Sequence, residues 1–276
     1  MNSELTIIGF GKLGGREITF NSDLDLIFVT LNDPAAEDIK AAERLLKISM
    51  SYTKDGMAYR MDTRLRPEGS KGPLVSSIRG LEDYYLKHAR TWELQALLKA
   101  RPVAGDVYAC RRFMDMRRNV LIRRGMAVTI DDIKRMRERI NRELSRELLS
   151  AGIYDVKLGS GGLEDLEFMI QYLQIRNCQN NPGLLVQDTL AAIRRLNING
   201  ILNAVDAMMF SDIYIFYRTI ETILRLRNES VLKEGSNTFK TMIDIMDTDE
   251  EIFLTSFKKR RQWVSDFWSK AGISEV

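Results

Sequence analysis

Two aspartates, Asp23 and Asp25, are separated by a single residue at the start of an apolar stretch, and this pair constrains the fold more than any other feature of the chain. The stretch after Ser22 alternates and is rich in branched and aromatic residues, so it predicts a strand. Residues two apart on a strand point to the same face, which places both carboxylates side by side. Adjacent carboxylates repel each other and resist burial unless a cation lies between them. A divalent metal ion that also holds a triphosphate meets that need.

A glycine-rich run, Gly9 to Gly15, precedes this strand. Its spacing matches the dinucleotide-binding fingerprint, but that motif needs a helix of about ten residues directly after the loop, and Asn21-Ser22 lead into the next strand too soon. A Walker loop is excluded because no Gly-Lys-Ser/Thr ends the run. We interpret the run as a loop whose backbone N–H groups cradle phosphate oxygens, with Lys12 or Arg16 adding charge. The alternative is a tight glycine turn that links two strands.

A third carboxylate lies in an alternating stretch between Arg60 and Arg66. If this stretch is a strand, one of its faces carries Arg60, Asp62, Arg64 and Arg66. Pairing beside the strand of the first two aspartates would complete a cluster of three carboxylates, flanked by arginines that suit phosphate oxygens. In such a site Asp62 would accept the proton of the attacking hydroxyl. The alternative is an edge strand with a salt-bridged, exposed face.

The order of the predicted elements indicates an α+β fold. Strands are predicted at 5–10, 25–30 and 57–65, and helices at 35–53 and 78–100, the last in one or two pieces. From about residue 107 strand signals vanish, and helices are expected near 131–150, 163–177, 184–198, 201–228 and 249–270. We therefore predict a head at residues 1–106 and an all-helical bundle at 107–276. Because a strand begins so close to the start, we expect one domain of a longer protein.

Composition narrows the class of protein. Lys and Arg total 41 against 38 Asp and Glu, so the net charge of +3 gives no indication of nucleic-acid binding. No apolar run approaches the roughly 18 residues of a membrane span. Two cysteines, Cys110 and Cys178, fit a reducing cytosol, and with a single histidine they argue against a zinc site. We expect a cytoplasmic protein.

Four segments of the chain match the motifs of one known family, in that family's order. They are Gly9–Glu17 with Ser22–Phe28; Asp62–Pro67 with Gly69 and Gly72–Val75; Trp92–Arg101; and Asp155–Phe168. Together with the helical tail they cover most of the chain. In these segments the chain resembles glutamate-ammonia-ligase adenylyltransferase, the bacterial enzyme that adenylylates and deadenylylates glutamine synthetase.

The resemblance implies a DNA-polymerase-β-type nucleotidyltransferase head and a reaction that needs Mg²⁺, with Mn²⁺ as a second possibility. ATP would be the substrate, and a tyrosine of glutamine synthetase would receive the AMP. Asp23, Asp25 and Asp62 carry over as catalytic, metal-binding carboxylates. The expected nucleotide and phosphate contacts are Gly11, Lys12, Gly14, Gly15, Ser22, Arg64, Arg66, Lys99, Arg101 and Lys157. For the lysines at 99 and 157 and the arginine at 101, ordinary helix charges are the alternative.

The full family enzyme carries two such domains, and this chain holds one. One domain adds AMP and releases pyrophosphate, whereas the other removes AMP by phosphorolysis and releases ADP. The residue sequence of Trp92–Leu97 resembles the adenylylating copy more, whereas that of Asp155–Gly159 resembles the deadenylylating copy more. We expect adenylylation. A further alternative is a non-catalytic nucleotide-binding module that docks glutamine synthetase or the PII regulatory protein. The last is a small-molecule or RNA nucleotidyltransferase of the same fold.

Overall fold

The computed structural model describes residues 4–271 apart from 53, 55, 57 and 58. This part of the chain divides into two compact units. The first contains the residues up to 128 together with 174–192, and the second contains 129–173 and the residues from 193 onward. The two units thus first separate between residues 128 and 129, whereas the sequence predicted a boundary between residues 106 and 107.

Within the described residues, a five-stranded mixed sheet forms the centre of the first unit. Its strands are β1 Thr6–Gly9, β2 Leu24–Thr30, β3 Met61–Asp62, β4 Val75–Ser77 and β5 Arg101–Ala104. β1 runs antiparallel to both β2 and β5, while β3 and β4 pair in parallel with successive parts of β2. Ile8, Phe28 and Val29 are buried, as the apolar pattern of β1 and β2 predicts.

The helices that lie wholly within the first unit are α1 Gly11–Gly15, α2 Ala36–Ser49, α3 Ile78–Lys87, α4 Thr91–Lys99 and α5 Val107–Gly125. The predicted helical region 78–100 is therefore confirmed, in two pieces. α4 begins anew because the Glu93 carboxylate accepts the backbone N–H of Arg90 at 2.8 Å, which caps its first turn. α5 begins where Asp106 accepts the N–H of Ala109 at 2.8 Å.

Arg117 explains why α5 belongs to the first unit. Its side chain is 1% exposed. Nε donates to the carbonyl of Leu97 at 2.9 Å, a terminal nitrogen donates to Leu98, and Nη1 donates to Leu185 at 3.2 Å. A buried guanidinium needs such acceptors, so these bonds tie α5 to the end of α4 and to the 174–192 segment. A boundary at residue 106 would cut through this network.

In the described residues of the second unit, helices predominate and one small strand pair accompanies them. Its helices are α6 Ile130–Leu144, α9 Ala204–Leu226, α10 Asn237–Ile245 and α11 Glu250–Ala271, whereas α7 Leu163–Asn177 and α8 Thr189–Ile198 each extend over both ranges. β6 Ile153–Tyr154 pairs antiparallel with β7 Leu232–Lys233. The expectation of no strands after residue 107 is wrong here because a two-residue strand is too short to show a period. Buried aromatic side chains, among them Tyr217, Phe257 and Trp268, form the core.

The third predicted strand is much shorter than expected. The expected range was 57–65, of which residues 57 and 58 lie outside the described part, and β3 ends at Asp62. The Asp62 carboxylate accepts the backbone N–H of Arg64 at 2.9 Å, a local bond that turns the chain away from the sheet.

As for membrane insertion, none of the helices in the described ranges combines the length and the apolar character that crossing a bilayer requires.

Candidate active site

Two of the three predicted carboxylates lie next to each other on paired strands. Asp25 on β2 is the register partner of Asp62 on β3, and neighbouring strands are about 4.8 Å apart. Asp23 lies just before β2 and is exposed. The pKa of Arg64 is raised, first by its hydrogen bonds to Asp62 and then by the negative charges of all three aspartates. The tertiary structure therefore places Arg64 in contact with Asp62 and within electrostatic reach of Asp23 and Asp25.

Arg64 holds Asp62 in a bidentate contact. Nε lies 3.0 Å from Oδ1 and 2.9 Å from Oδ2, and Nη2 lies 2.5 Å from Oδ2. These hydrogen bonds lower the pKa of Asp62 below its usual range, and the charge of Arg66 adds to the effect. A lowered pKa keeps Asp62 ionised, which suits a metal ligand, but it makes the carboxylate a weaker proton acceptor.

The arginine face predicted for residues 60–66 is wrong, because β3 ends before it is complete. Arg66 turns back onto its own loop, where Nη1 donates to the carbonyl of Thr63 at 2.8 Å and to its hydroxyl at 2.7 Å. Nε of Arg66 also donates to the carbonyl of Gly72 at 3.2 Å. In this conformation Arg66 braces the turn after β3, while the exposed Arg64 remains beside the carboxylates.

The glycine run forms a single-turn helix, α1, where no helix was expected. Its first residue, Gly11, has φ +49° and lies against Asp25: an added Cβ would stand 2.5 Å from Oδ2 of that carboxylate. The backbone N–H of Phe10 also donates to the carbonyl of Asp25 at 2.8 Å. Glycine at position 11 thus lets the turn approach the carboxylate closely.

Lys99 and Arg101, both expected at phosphate, contact other protein groups: Lys99 contacts Glu17, which follows the glycine turn, and Arg101 contacts the turn itself. Nζ of Lys99 lies 2.6 Å from Oε2 of the buried Glu17 and 3.1 Å from Oγ1 of Thr189, whose N–H donates to Oε1 of Glu17 at 2.8 Å. Arg101 donates from Nε to the carbonyl of Gly14 at 2.9 Å. A phosphate contact by Lys99 would require this buried ion pair to open.

Sequence reasoning did not assign a role to Glu17 or Thr189. Glu17 directly follows Gly-Gly-Arg in the first motif, which was the one available signal. For Thr189, which lies 172 positions from Glu17 in the chain, no local pattern pointed to the contact.

The remaining predicted phosphate contacts occupy varied positions. Ser22 is buried, and its hydroxyl accepts the backbone N–H of Thr19 at 3.2 Å. Lys12 is half-buried and Gly15 is buried in α1. Lys157 is exposed in the second unit. Their contacts with phosphate stay predictions.

The fourth motif is held by contacts within the second unit. The Asp155 carboxylate accepts the N–H of Leu158 at 2.8 Å, and the Asp165 carboxylate accepts the N–H of Gly161 at 2.6 Å. Burial raises the pKa of Glu164 to about 7, partly offset by the charge of Lys157. One oxygen of Glu164 is buried and has no hydrogen-bond partner among the described residues.

A divalent metal ion suits the donor chemistry of the carboxylate pair, but it would require a rearrangement. No group of three Asp, Glu, His or Cys side chains in the described part of the chain is arranged to hold a metal ion. Both oxygens of Asp62 are bonded to Arg64, which supplies the positive charge in this conformation. Carboxylate oxygens are the ligands that Mg²⁺ prefers, so Asp25 and Asp62 would hold the ion once Arg64 turns away.

Comparison with known proteins identifies two family matches along the chain. Residues 1–116 match the sequence model of glutamate-ammonia ligase adenylyltransferase. Residues 134–265 match that of GlnD PII-uridylyltransferase. The two matches cover different parts of the chain, the first including the carboxylates and the second most of the helical unit.

Curated relatives extend the likeness over most of the chain. A bifunctional glutamine synthetase adenylyltransferase/adenylyl-removing enzyme of Thioalkalivibrio sulfidiphilus is 37% identical over 77% of this chain and 23% of its own length. Its namesake from Acinetobacter baylyi is 34% identical over 82% of this chain and 26% of its own length. The enzyme of that name from Xanthomonas campestris is 40% identical over 65% of this chain and 20% of its own length. The chain therefore spans about a quarter of the length of these relatives.

Proposed function

Because the chain belongs to the glutamate-ammonia-ligase (glutamine synthetase) adenylyltransferase family, we propose that it is a nucleotidyltransferase domain that transfers AMP from ATP to a tyrosine of glutamine synthetase. The observation that carries the proposal is the pairing of Asp25 with Asp62 beside Gly11. This arrangement joins a carboxylate pair to a glycine turn, as a triphosphate site requires.

We infer a DNA-polymerase-β-type architecture for the first unit, supported by its small mixed sheet with the carboxylates on adjacent strands. Asp25 and Asp62 would hold Mg²⁺ or Mn²⁺, with Asp23 completing the set. The metal supplies positive charge that neutralises the triphosphate. Arg64, released from Asp62, would then be placed to donate to phosphate oxygens, because a guanidinium matches phosphate as well as carboxylate.

The reverse reaction is the second candidate, since the relatives' names include adenylyl removal. The same carboxylates would serve it: inorganic phosphate would attack the phosphorus of the AMP group, the bond from that phosphorus to the tyrosine oxygen would break, and ADP and the free tyrosine hydroxyl would be released. The glutamine synthetase partner comes from those relatives' names, and docking of a PII-type protein is supported by the match of residues 134–265. A docking module without catalysis remains the non-enzymatic alternative.

An adenylylation assay tests the proposal. The chain is mixed with unmodified glutamine synthetase, Mg²⁺ and α-labelled ATP, and label on the synthetase is measured. Asp25→Asn should lower the transfer rate by about a hundredfold or more, since metal charge stabilisation amounts to several kcal/mol. Asp33→Asn is the matched control, because Asp33 is exposed in the loop after β2.

Each outcome separates the candidates. Label that depends on Asp25 supports adenylyl transfer. ADP release from adenylylated synthetase with phosphate, again dependent on Asp25, assigns the removing activity instead. Equal rates for the asparagine variants at positions 25 and 33 would refute the metal-carboxylate site. No turnover in either direction, with the synthetase still bound, would support the docking module.

A further inference from the structure

A cavity of about 440 Å³ lies at the end of α1 that is remote from the carboxylates. Its walls include Gly14 and Gly15 of the turn, Arg16, Arg101 and Asp188. All of these residues belong to the first unit. The volume lies within the usual range for small-ligand sites, about 300–1,000 Å³.

Two arginines and one aspartate line the cavity, so the charged residues of its lining carry a net positive charge. Within the described ranges the structure shows no carboxylate in ion-pair contact with Arg16 or Arg101. Both arginines line the cavity; burial lowers the pKa of Arg101, and the like charge of Arg16 lowers it further. Asp188 also lines the cavity, but one of its carboxylate oxygens accepts the N–H of Ala191 at 2.6 Å and caps α8.

Arg16 and Arg101 differ in how much of their hydrogen-bonding capacity is taken up. Arg101 donates to the carbonyls of Gly14 and Leu13 at 2.9 and 3.0 Å and to that of Pro102 at 3.4 Å, which fixes its guanidinium against the end of α1. Arg16 follows that end with φ 61° and ψ 33°, and its side chain is exposed. A left-handed arginine is disfavoured, so its surroundings hold its backbone in place while the guanidinium stays available.

The site is distinct from the carboxylate pair. Asp25 abuts Gly11 at the start of α1, whereas the cavity adjoins Gly14 and Gly15 at its other end. At 1.5 Å per residue these ends are about 6 Å apart along the helix axis. The cavity therefore adjoins the end of the turn opposite to Asp25.

We propose that this cavity is a second binding site, which takes a small oxyanion through Arg16 and Arg101. In this proposal Gly14, Gly15 and Arg101, expected from the sequence at the nucleotide phosphates, belong to the second site instead. The ligand class is a free phosphate, a pyrophosphate or a short dicarboxylate, because planar guanidinium groups bind phosphate and carboxylate oxygens in paired hydrogen bonds. The anion would neutralise the two arginines and fix the end of the glycine turn. This inference does not depend on the proposed reaction.

Isothermal titration of the whole chain tests the site. Inorganic phosphate, pyrophosphate and succinate are titrated separately in EDTA, so that metal-dependent binding at the carboxylates is absent. The variants are Arg16→Gln, Asp25→Asn and Arg44→Gln. Arg44 is an exposed arginine on α2, so its variant removes the same charge elsewhere in the unit. Arg16→Lys keeps the charge but removes the planar fork.

We expect saturable binding that Arg16→Gln weakens by about tenfold or more, as loss of a charged hydrogen bond does. Arg16→Lys should fall between this variant and the parent, while Arg44→Gln and Asp25→Asn should bind normally. Binding of phosphate or pyrophosphate alone identifies a phosphate ligand, and binding of succinate alone a carboxylate ligand. The proposal is overturned if no anion binds at millimolar concentration, if Arg16→Gln binds as well as Arg44→Gln, or if Asp25→Asn abolishes binding.

Discussion

Replacing Lys99 with methionine will remove the ammonium group that contacts the buried Glu17 carboxylate. The two side chains are 9% and 6% exposed, and their charged atoms lie 2.6 Å apart. Breaking a buried ion pair by removing one partner costs about 3–5 kcal/mol, because the remaining charge is uncompensated. Thr189 still donates its N–H to Glu17 at 2.8 Å, so we expect the lower end, about 3 kcal/mol.

Combining Glu17→Gln with Lys99→Met separates the interaction energy of the ion pair from the other stability costs of the two substitutions. Glu17→Gln alone leaves the ammonium of Lys99 buried and should cost a similar amount. Glu17→Gln with Lys99→Met leaves no buried charge, so its cost should be smaller than the sum by about 1–3 kcal/mol. Lys87→Met is the control, because Lys87 pairs with Asp83 at 3.3 Å on the surface, where such pairs are worth about 0–1 kcal/mol.

Differential scanning calorimetry measures these effects, and hydrogen exchange of peptides covering residues 11–17 and 189–198 locates them. At roughly 2–4 °C per kcal/mol, Lys99→Met should lower the unfolding temperature of the first unit by about 6–12 °C. The reasoning is refuted if Lys99→Met shifts the transition no more than Lys87→Met does, or if the two single variants add fully in the double variant.

The pH dependence of the folding stability tests the same ion pair independently. Burial acts to raise the pKa of Glu17, but the charge of Lys99 and the hydrogen bonds from Lys99 and Thr189 outweigh it, so the pKa lies below the ordinary value of 4.5. The unfolded chain therefore binds a proton more readily than the folded one. The stability from this pair is fully present above pH 4.5 and is lost as the pH falls through the lower, folded value. Glu17→Gln should remove that acid sensitivity.

Three further predictions concern single side chains. Gly11→Ala places a Cβ 2.5 Å from the β2 aspartate and should lower nucleotidyl transfer about tenfold or more, whereas Gly183→Ala, with nothing within 4 Å, should leave the rate unchanged. Arg64→Gln should raise the pKa of Asp62 toward its usual range and tighten Mn²⁺ binding in an ATP-free titration, because the competing guanidinium is gone; weaker binding would contradict this account. The raised pKa of Glu164 means that the folded state favours its protonated form, so stability falls between about pH 4.5 and 7. Glu164→Gln should therefore add about 3 kcal/mol at pH 8 and nothing at pH 4, as measured by urea unfolding.

Elements with a clear apolar period could be predicted from the sequence. The strand expected at 25–30 is β2, Leu24–Thr30, and the helix expected at 201–228 is α9, Ala204–Leu226. Both bury the apolar positions that the pattern selects, such as Phe28 and Phe210. The period is a local property of the chain, so a single sequence is enough to read it.

The sequence pattern failed to predict the structure where local hydrogen bonds compete with strand pairing and where elements are very short. The alternation at 60–66 predicted a strand, but the Asp62 side chain bonds the backbone of Arg64 and Arg66 bonds that of Thr63. Such side-chain bonds offer the backbone an alternative to strand pairing. The short helix α1 and the strand pair β6–β7 were missed because neither is long enough to show a period.

The sequence alone identified the three candidate carboxylates, the main helices and a resemblance to an adenylyltransferase family. The folded chain was needed to show that Asp25 pairs in register with Asp62, that Arg64 contacts Asp62, and that Lys99 contacts Glu17, 82 positions away, rather than solvent. This is because the partner of a charged group depends on which distant segments pack beside it. Local patterns specify which face of an element is buried, but burial alone does not specify which opposite charge will meet it there.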